Sequence, residues 1–190
     1  MPRQVDSAER RALIARAVWR VILRDGLESA SVRKVAAEAG LSAGSLRHYF
    51  ASQSELVAFS MELVIERVTA RATARLDEGF AAVLDEVLPL DEERRAEVEV
   101  WLAFTARSRV DPALDAVRRR SDEALRGLCA AAVAEVTDGR LADSEASIEA
   151  EALYALVDGL ALHAVAGDGA DPSPAAMRAV LARHLERLGA

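Results

Sequence analysis

The chain has one cysteine, Cys129, and one lysine, Lys34, in 190 residues. A single cysteine excludes an intramolecular disulfide and a thiolate cluster around a metal. Aromatics make up only 4% of the chain, and runs of β-branched residues are few, so sheet-forming patterns are lacking. No apolar run reaches the roughly 18 residues that mark a membrane span, and no signal peptide opens the chain. A cytoplasmic protein without a membrane partner is the expectation. Catalytic signatures are missing too: there is no glycine-rich phosphate loop and no nucleophile elbow. The residues three before His48, His163 and His184 are Ser45, Leu160 and Leu181, so the Glu-x-x-His pairs of di-iron bundles are absent. We expect no enzyme, no cofactor and no metal.

What is present is helix-forming material. Apolar residues reach 52%, dominated by alanine and leucine, which favours an all-α chain with enough core for one or two domains. The net charge is -7, which on its own argues against a partner as anionic as DNA. Its distribution reverses that argument. Residues 1–50 hold nine Arg or Lys against five Asp or Glu, net +4, and the remaining 140 hold 15 against 26, net -11.

Within the basic part, Ser31 to Phe50 reads as two short helices joined by a glycine turn, the layout that sets a second helix into the DNA major groove. Ser31 caps the first helix, whose Val32, Val35, Ala36 and Ala39 form a buried stripe. Gly40 ends it in the left-handed conformation that glycine adopts freely, with Leu41 folding back as a plug. Ser42 caps a second helix over Ala43 to Phe50. On a wheel of roughly 100° per residue, Leu46 and Phe50 mark its buried side, Gly44 and His48 lie roughly opposite, and Ser45 and Arg47 flank them. Small residues let a backbone come close to base edges, and a guanidinium pairs with guanine O6 and N7 or grips a phosphate. An amphipathic helix with Arg10, Arg11, Arg16, Arg20 and Arg24 outside and Leu13, Ile14, Ala17, Val18, Val21 and Ile22 inside precedes them and ends at Gly26. Ser52 and Glu55 have capping-box spacing for a helix that follows.

These residues together, the apolar first helix, Gly26-Leu27, Ser31 to Ala36, AGLS at 39–42, Gly44, Leu46, Phe50 and SQSEL at 52–56, resemble the TetR family of bacterial transcription regulators. The resemblance is specific over the first 60 residues or so and architectural beyond. It implies DNA contacts from Ser31, Arg33, Ser42, Ala43, Gly44, Ser45, Arg47, His48, Tyr49 and Gln53. Arg47 stands where the family usually has tyrosine, Tyr49 where it often has histidine, and Gln53 where it usually has lysine. Tyr49 either gives its hydroxyl to a phosphate or packs under the motif.

The expected architecture is all-α with about nine helices: a helix-turn-helix head over 1–51 and a helical effector-binding and dimerisation body over 52–190. Punctuation sets further helices at 52–88 with a break near Gly79, 91–109, 112 to 135 or 136, 144–166, and from Ser173-Pro174 to just before Gly189, with a loop at 167–174. The helix at 144–166 carries Ala150, Ala152, Ala155, Gly159, Ala161 and Ala164, which permit close backbone approach. A homodimer through a four-helix bundle follows, with Leu153, Leu156, Gly159, Leu160, His163, Met177, Leu181 and Leu185 at the interface. The resemblance also implies a small-molecule effector among the middle helices that moves two reading heads out of register on a palindromic operator. Its candidate lining is Phe59, Leu63, Trp101, Phe104, Arg107, Tyr154 and Asp158, although Trp101 and Phe104 read equally well as core. DGLALH at 158–163 resembles a betaine-inhibitor-like branch of the family without naming an effector. The alternative is a helical interaction module of the same fold that has lost sequence-specific DNA binding.

Overall fold

The computed structural model describes residues 7–166 and 172–190, so the loop expected at 167–174 falls outside the described residues over 167–171. Among the described residues there are nine α-helices, three short 3-10 turns and no strand. The helices are α1 (Ser7–Asp25), α2 (Val32–Glu38), α3 (Ala43–Tyr49), α4 (Gln53–Ala74), α5 (Phe80–Leu84), α6 (Glu92–Ser108), α7 (Pro112–Val136), α8 (Asp143–Ala166) and α9 (Pro174–Gly189). They fall into two compact units that do not follow chain order. One comprises Met1–Glu66 with Glu99–Arg118, the other Arg67–Val98 with Arg119–Ala190.

In the first unit, α1 turns Ile14, Ala17, Val18, Val21 and Ile22 inward and leaves Arg11, Arg16, Arg20 and Arg24 exposed, the stripe expected of its apolar period. It packs on α2, and α2 on α3. The Ser31 hydroxyl accepts from the Lys34 N–H at 3.3 Å and starts α2. Gly40, at φ +66°, stops it. There the Leu41 N–H donates to Ala36 O at 2.8 Å and the Gly40 N–H to Ala37 O at 3.2 Å, the pair of bonds that satisfies a helix's last carbonyls when the next residue is left-handed. Ser42 accepts from the Ser45 N–H at 3.1 Å and starts α3. Ser52 accepts from the Glu55 N–H at 3.1 Å, while the Glu55 carboxylate reaches the Ala51 N–H at 2.8 Å, one residue further back than a capping box requires.

The second unit is built on a core of Leu84, Leu88, Cys129, Val133, Leu153, Val157, Leu160, Met177, Leu181 and Leu185. The break expected at Gly79 is wider than one glycine. α4 stops at Ala74, and α5 is flanked by 3-10 turns at Leu76–Glu78 and Asp85–Val87. An ion-pair network explains the fold-back. Arg71 donates to Glu86 at 3.0 Å and to Glu97 at 2.7 and 3.1 Å, and Arg75 Nη1 donates to Glu86 at 3.0 Å. Arg94 Nη2 stands 3.3 Å from Glu86. Glu86 and Glu97 are 3% and 6% exposed, so the chain between Ala74 and α6 is held where these charges are matched. α9 runs through Gly189, where a Cβ would come within 2.9 Å of the Val136 carbonyl oxygen. Arg140 Nη2 holds that end by donating to Gly189 O at 3.0 Å. Burial pushes the Cys129 thiol up to about 12, which makes it a core residue without nucleophilic character.

Candidate nucleic-acid interface

The seven-residue α3 buries Leu46 and leaves Gly44, Arg47, His48 and Tyr49 exposed, with Ala43 and Ser45 half-buried. Phe50, just past its end, is buried and meets Phe59 with ring centres 4.9 Å apart and planes tilted by 49°. The outward face is therefore small, polar and basic, as its wheel predicts. A Cβ on Gly44 would meet nothing within 4 Å, so the backbone there is open to a close visitor. Tyr49 is 58% exposed and stands edge-on to His48 at 5.5 Å. It does not pack under the motif, and its hydroxyl is accessible.

The cations of the first unit divide into two groups. Arg20 bonds Glu38 at 2.7 Å, Arg24 bonds Glu38 and Asp25, both at 3.0 Å, and Lys34 Nζ lies 3.0 Å from Asp25. The Arg24 hydrogen bond, then that of Lys34, holds the Asp25 carboxyl below its ordinary value; Arg20, then Arg24, does the same for Glu38. Arg33 and Arg47 are exposed and have no ion-pair or hydrogen-bond partner among the described residues. Both are free to meet an external anion, as are Arg16 on α1 and Arg109 just past α6, which are likewise exposed without a partner among the described residues.

The Gln53 side chain is engaged within the unit. Its amide nitrogen donates to Leu27 O at 2.9 Å and to Glu28 O at 3.3 Å, so both amide hydrogens are engaged inside the unit and only an acceptor oxygen remains. A phosphate has no use for that oxygen. Ser31 and Ser42 are exposed, with their hydroxyl oxygens already capping helices. Arg10 was not singled out from the sequence, yet its Nη2 donates to the Ser45 hydroxyl at 2.8 Å.

The expected effector lining falls in both units. Phe59, Leu63, Trp101, Phe104 and Arg107 belong to the first, Tyr154 and Asp158 to the second. Phe104 is fully buried against Trp101 at 5.3 Å, the core role that the sequence left open. Arg107 is exposed and pairs with Glu28 at 3.2 Å, while Phe59 lies under the Arg11 guanidinium at 5.0 Å. Leu63 is half-buried. In the second unit, the Arg126 guanidinium covers the Tyr154 ring at 4.2 Å and pairs with Glu151 at 3.0 Å. Burial, then the nearby Asp158 charge, pushes the Tyr154 phenol up to about 12. Desolvation, with Asp122 adding to it, holds the Asp158 carboxyl above its ordinary value, a shift that solvent tempers because the residue is exposed. Arg126 and Asp122, on α7, were missed because a partner on another helix leaves no spacing signal. An open groove of about 600 Å³ in this unit is lined by Phe80, Ala81, Glu135, Val136, Ala182 and Leu185 among others, and contains none of the expected lining residues.

Of the expected interface residues, Leu153, Leu160, Met177, Leu181 and Leu185 sit in the chain's own core. Their side chains face inward because α8 and α9 pack on each other, so the stripe on α9 is covered within one chain. The surface that α8 and α9 leave open carries Ile148, Leu162 and Val180, which are 67%, 44% and 43% exposed, with His163 exposed and Leu156 and Gly159 partly so. A Cβ on Gly159 would meet nothing within 4 Å; no neighbour among the described residues requires this glycine.

Two family descriptions match the chain: bacterial regulatory proteins of the tetR family over residues 14–58, and the C-terminal part of BetI-type transcriptional repressors over 62–190. The HTH-type transcriptional regulator PksA of Bacillus subtilis (strain 168) is 44% identical over 195 aligned positions, covering 99% of this chain and 94% of that one. The crystal structure of a transcriptional regulator from Rhodococcus sp. Rha1 is similar at a TM-score of 0.82 and 31% identity, covering 94% of this chain and 95% of that one. A putative transcriptional regulator from Saccharomonospora viridis, solved in complex with choline, shares the fold at a TM-score of 0.82 and 23% identity, covering 94% and 96% of the two chains. No described helix is long and apolar enough to cross a membrane. With the family descriptions together spanning both the α3 head and the helices beyond it, the chain belongs to the TetR family of bacterial transcriptional regulators.

Proposed function

We propose that the protein is an effector-gated repressor that binds a palindromic operator as a homodimer, with residues 1–51 reading DNA and 52–190 holding the effector and the dimer contact. The observation that carries this reading is the face of α3: exposed Gly44, Arg47 and His48 over buried Leu46, with Arg47 unpaired among the described residues. Arg33 offers a second free cation one helix earlier. In a dimer, two such helices enter successive major grooves roughly 34–36 Å apart, so the operator is a pair of half-sites about one duplex turn apart. The dimer contact we assign to the outward surface of α8 and α9, where Ile148, Leu156, Gly159, Leu162, His163 and Val180 lie. A mid-helix glycine costs about 1 kcal/mol relative to alanine, and close approach of a second backbone at Gly159 offsets that cost. Asp158 then serves either the effector site, with Tyr154, or the interface. The effector acts by favouring the conformation that does not fit the operator, with coupling of about 1–3 kcal/mol.

Footprinting of the purified protein on genomic DNA tests the reading. It predicts protection of a palindrome that shrinks on titration with the effector; no protection of any sequence at low salt favours instead the interaction module without DNA binding. Gly159→Trp should give monomer by light scattering and lose operator affinity together. An unchanged dimer moves the interface elsewhere.

A further inference from the structure

Resting on the reading of α3 as the DNA-contacting helix, we propose that Arg10 is a positioning residue for base readout: it fixes the recognition helix from outside and sets the Ser45 hydroxyl as a hydrogen-bond donor toward the base edge. α3 has only seven residues, and a helix that short does not hold its own conformation in water. Leu46 and Phe50 anchor its inner side. The polar side has a different anchor. The Arg10 side chain, half-buried on α1, donates from Nη2 to Ser45 Oγ at 2.8 Å and sets its guanidinium 5.5 Å from the centre of the Tyr49 ring. Ser45 and Tyr49 are four residues apart, hence on one stripe of the helix, so a single planar cation spans both turns of α3.

The burial of Arg10 Nε supports a placed side chain rather than a drifting one. That N–H is buried with no acceptor among the described residues, an arrangement that an arginine free to swing into water would relieve. The consequence for readout follows from the chemistry of a hydroxyl. Ser45 Oγ already accepts from a cationic donor, which polarises the O–H and turns its hydrogen away from Arg10. Toward DNA it is then a donor. It fits guanine N7 or O6, adenine N7 or thymine O4, and it opposes the amino groups of cytosine and adenine. Ser45 makes the contact, and Arg10 acts through it.

The test compares wild type with Arg10→Met, Arg10→Lys, Ser45→Ala and the double variant Arg10→Met/Ser45→Ala. Each full-length protein selects duplexes from a random library, and its affinity for the wild-type consensus duplex and for a scrambled duplex is then measured across salt concentrations. Arg10→Met is expected to keep scrambled-duplex affinity and salt slope, to lose at least tenfold on the consensus, and to relax preference at the same symmetric base pair that Ser45→Ala relaxes. The double variant is expected to lose no more than the larger single loss. Arg10→Lys, keeping a donor for Ser45 without the planar fork over Tyr49, should retain most of the preference at that base pair. Three results overturn the proposal: equal loss on consensus and scrambled duplexes with a smaller salt slope, which makes Arg10 a phosphate contact; additive losses in the double variant; or relaxation at a different base pair. If Arg10→Met does not fold, Ser45→Ala and Arg10→Lys still decide between a shared and a separate position. Wild type that enriches no sequence removes the DNA-reading assignment of α3 itself, and with it this one.

Discussion

In the second unit Arg71, Arg75 and Arg94 converge on Glu86 and Glu97, both buried, whereas on α3 of the first unit Arg47 reaches into solvent with no partner among the described residues. The same side chain does opposite work in the two places. Buried guanidinium-carboxylate contacts hold a broken helical segment in one arrangement, at a desolvation cost that makes them poor sources of net stability. An exposed guanidinium left without a carboxylate adds nothing to the fold and keeps its donors for something else. A chain of net charge -7 can in this way still present a locally basic face on α3. Total charge does not decide; unpaired charge in the right place does. Even inside the head, Arg20, Arg24 and Lys34 are neutralised by Asp25 and Glu38, so the basic count over residues 1–50 overstates what DNA can meet.

The largest effect should come from breaking the buried side of the comparison. Glu97→Ala leaves Arg71 facing a single carboxylate in a partly buried site and should cost about 3 kcal/mol of unfolding free energy, read as a lower denaturant midpoint. Arg71→Met combined with Glu97→Leu should recover most of that loss, since removing both charges also removes their desolvation cost. On the exposed side, Arg33→Ala should leave the unfolding midpoint unchanged. It should weaken binding to all duplexes alike by roughly 1 kcal/mol and lower the salt slope by about one per protomer, the signature of a phosphate contact.

Two titrations give smaller effects of opposite sign. The Asp158 carboxyl is raised by desolvation, so the folded chain prefers its neutral form. Its contribution is most favourable below the ordinary value of 3.8 and is lost as pH rises through the folded value. Asp158→Asn should therefore raise the melting temperature at pH 7 and change little at pH 3. Asp25 and Glu38 are lowered by the arginines and lysine around them, so their stabilisation is complete above the ordinary values of 3.8 and 4.5 and is lost as pH falls through the folded ones. Glu38→Gln should remove part of that acid sensitivity. Its effect is the smallest of the set because the cluster is exposed and screened by salt.

Much of this division was legible from residue order. The stop at Gly40, the caps at Ser31 and Ser42, and the inward Leu46 are local events, fixed by backbone conformation and by hydrogen bonds three or four residues apart, and all are found where the pattern put them. The partners of Gln53 left no local signal: its amide is drawn to Leu27 O and Glu28 O, more than twenty residues away. The contact of Arg10 with Ser45, 35 residues on, escaped notice for the same reason. On α9 the apolar stripe was visible, but Met177, Leu181 and Leu185 face the chain's own core; an amphipathic period tells that a face is buried, not by which neighbour. Arg47 is exposed, where its place on the helical wheel puts it.

Selection of duplexes from a random library by wild type and by Arg47→Ala, followed by affinity measurements across salt, tests the central claim most directly. Loss of about 1–3 kcal/mol on the selected duplex, with preference relaxed at one symmetric base pair and the salt slope unchanged, is the predicted result. A wild type that enriches no sequence, or an Arg47→Ala variant that binds the selected duplex as tightly as wild type does, would contradict it.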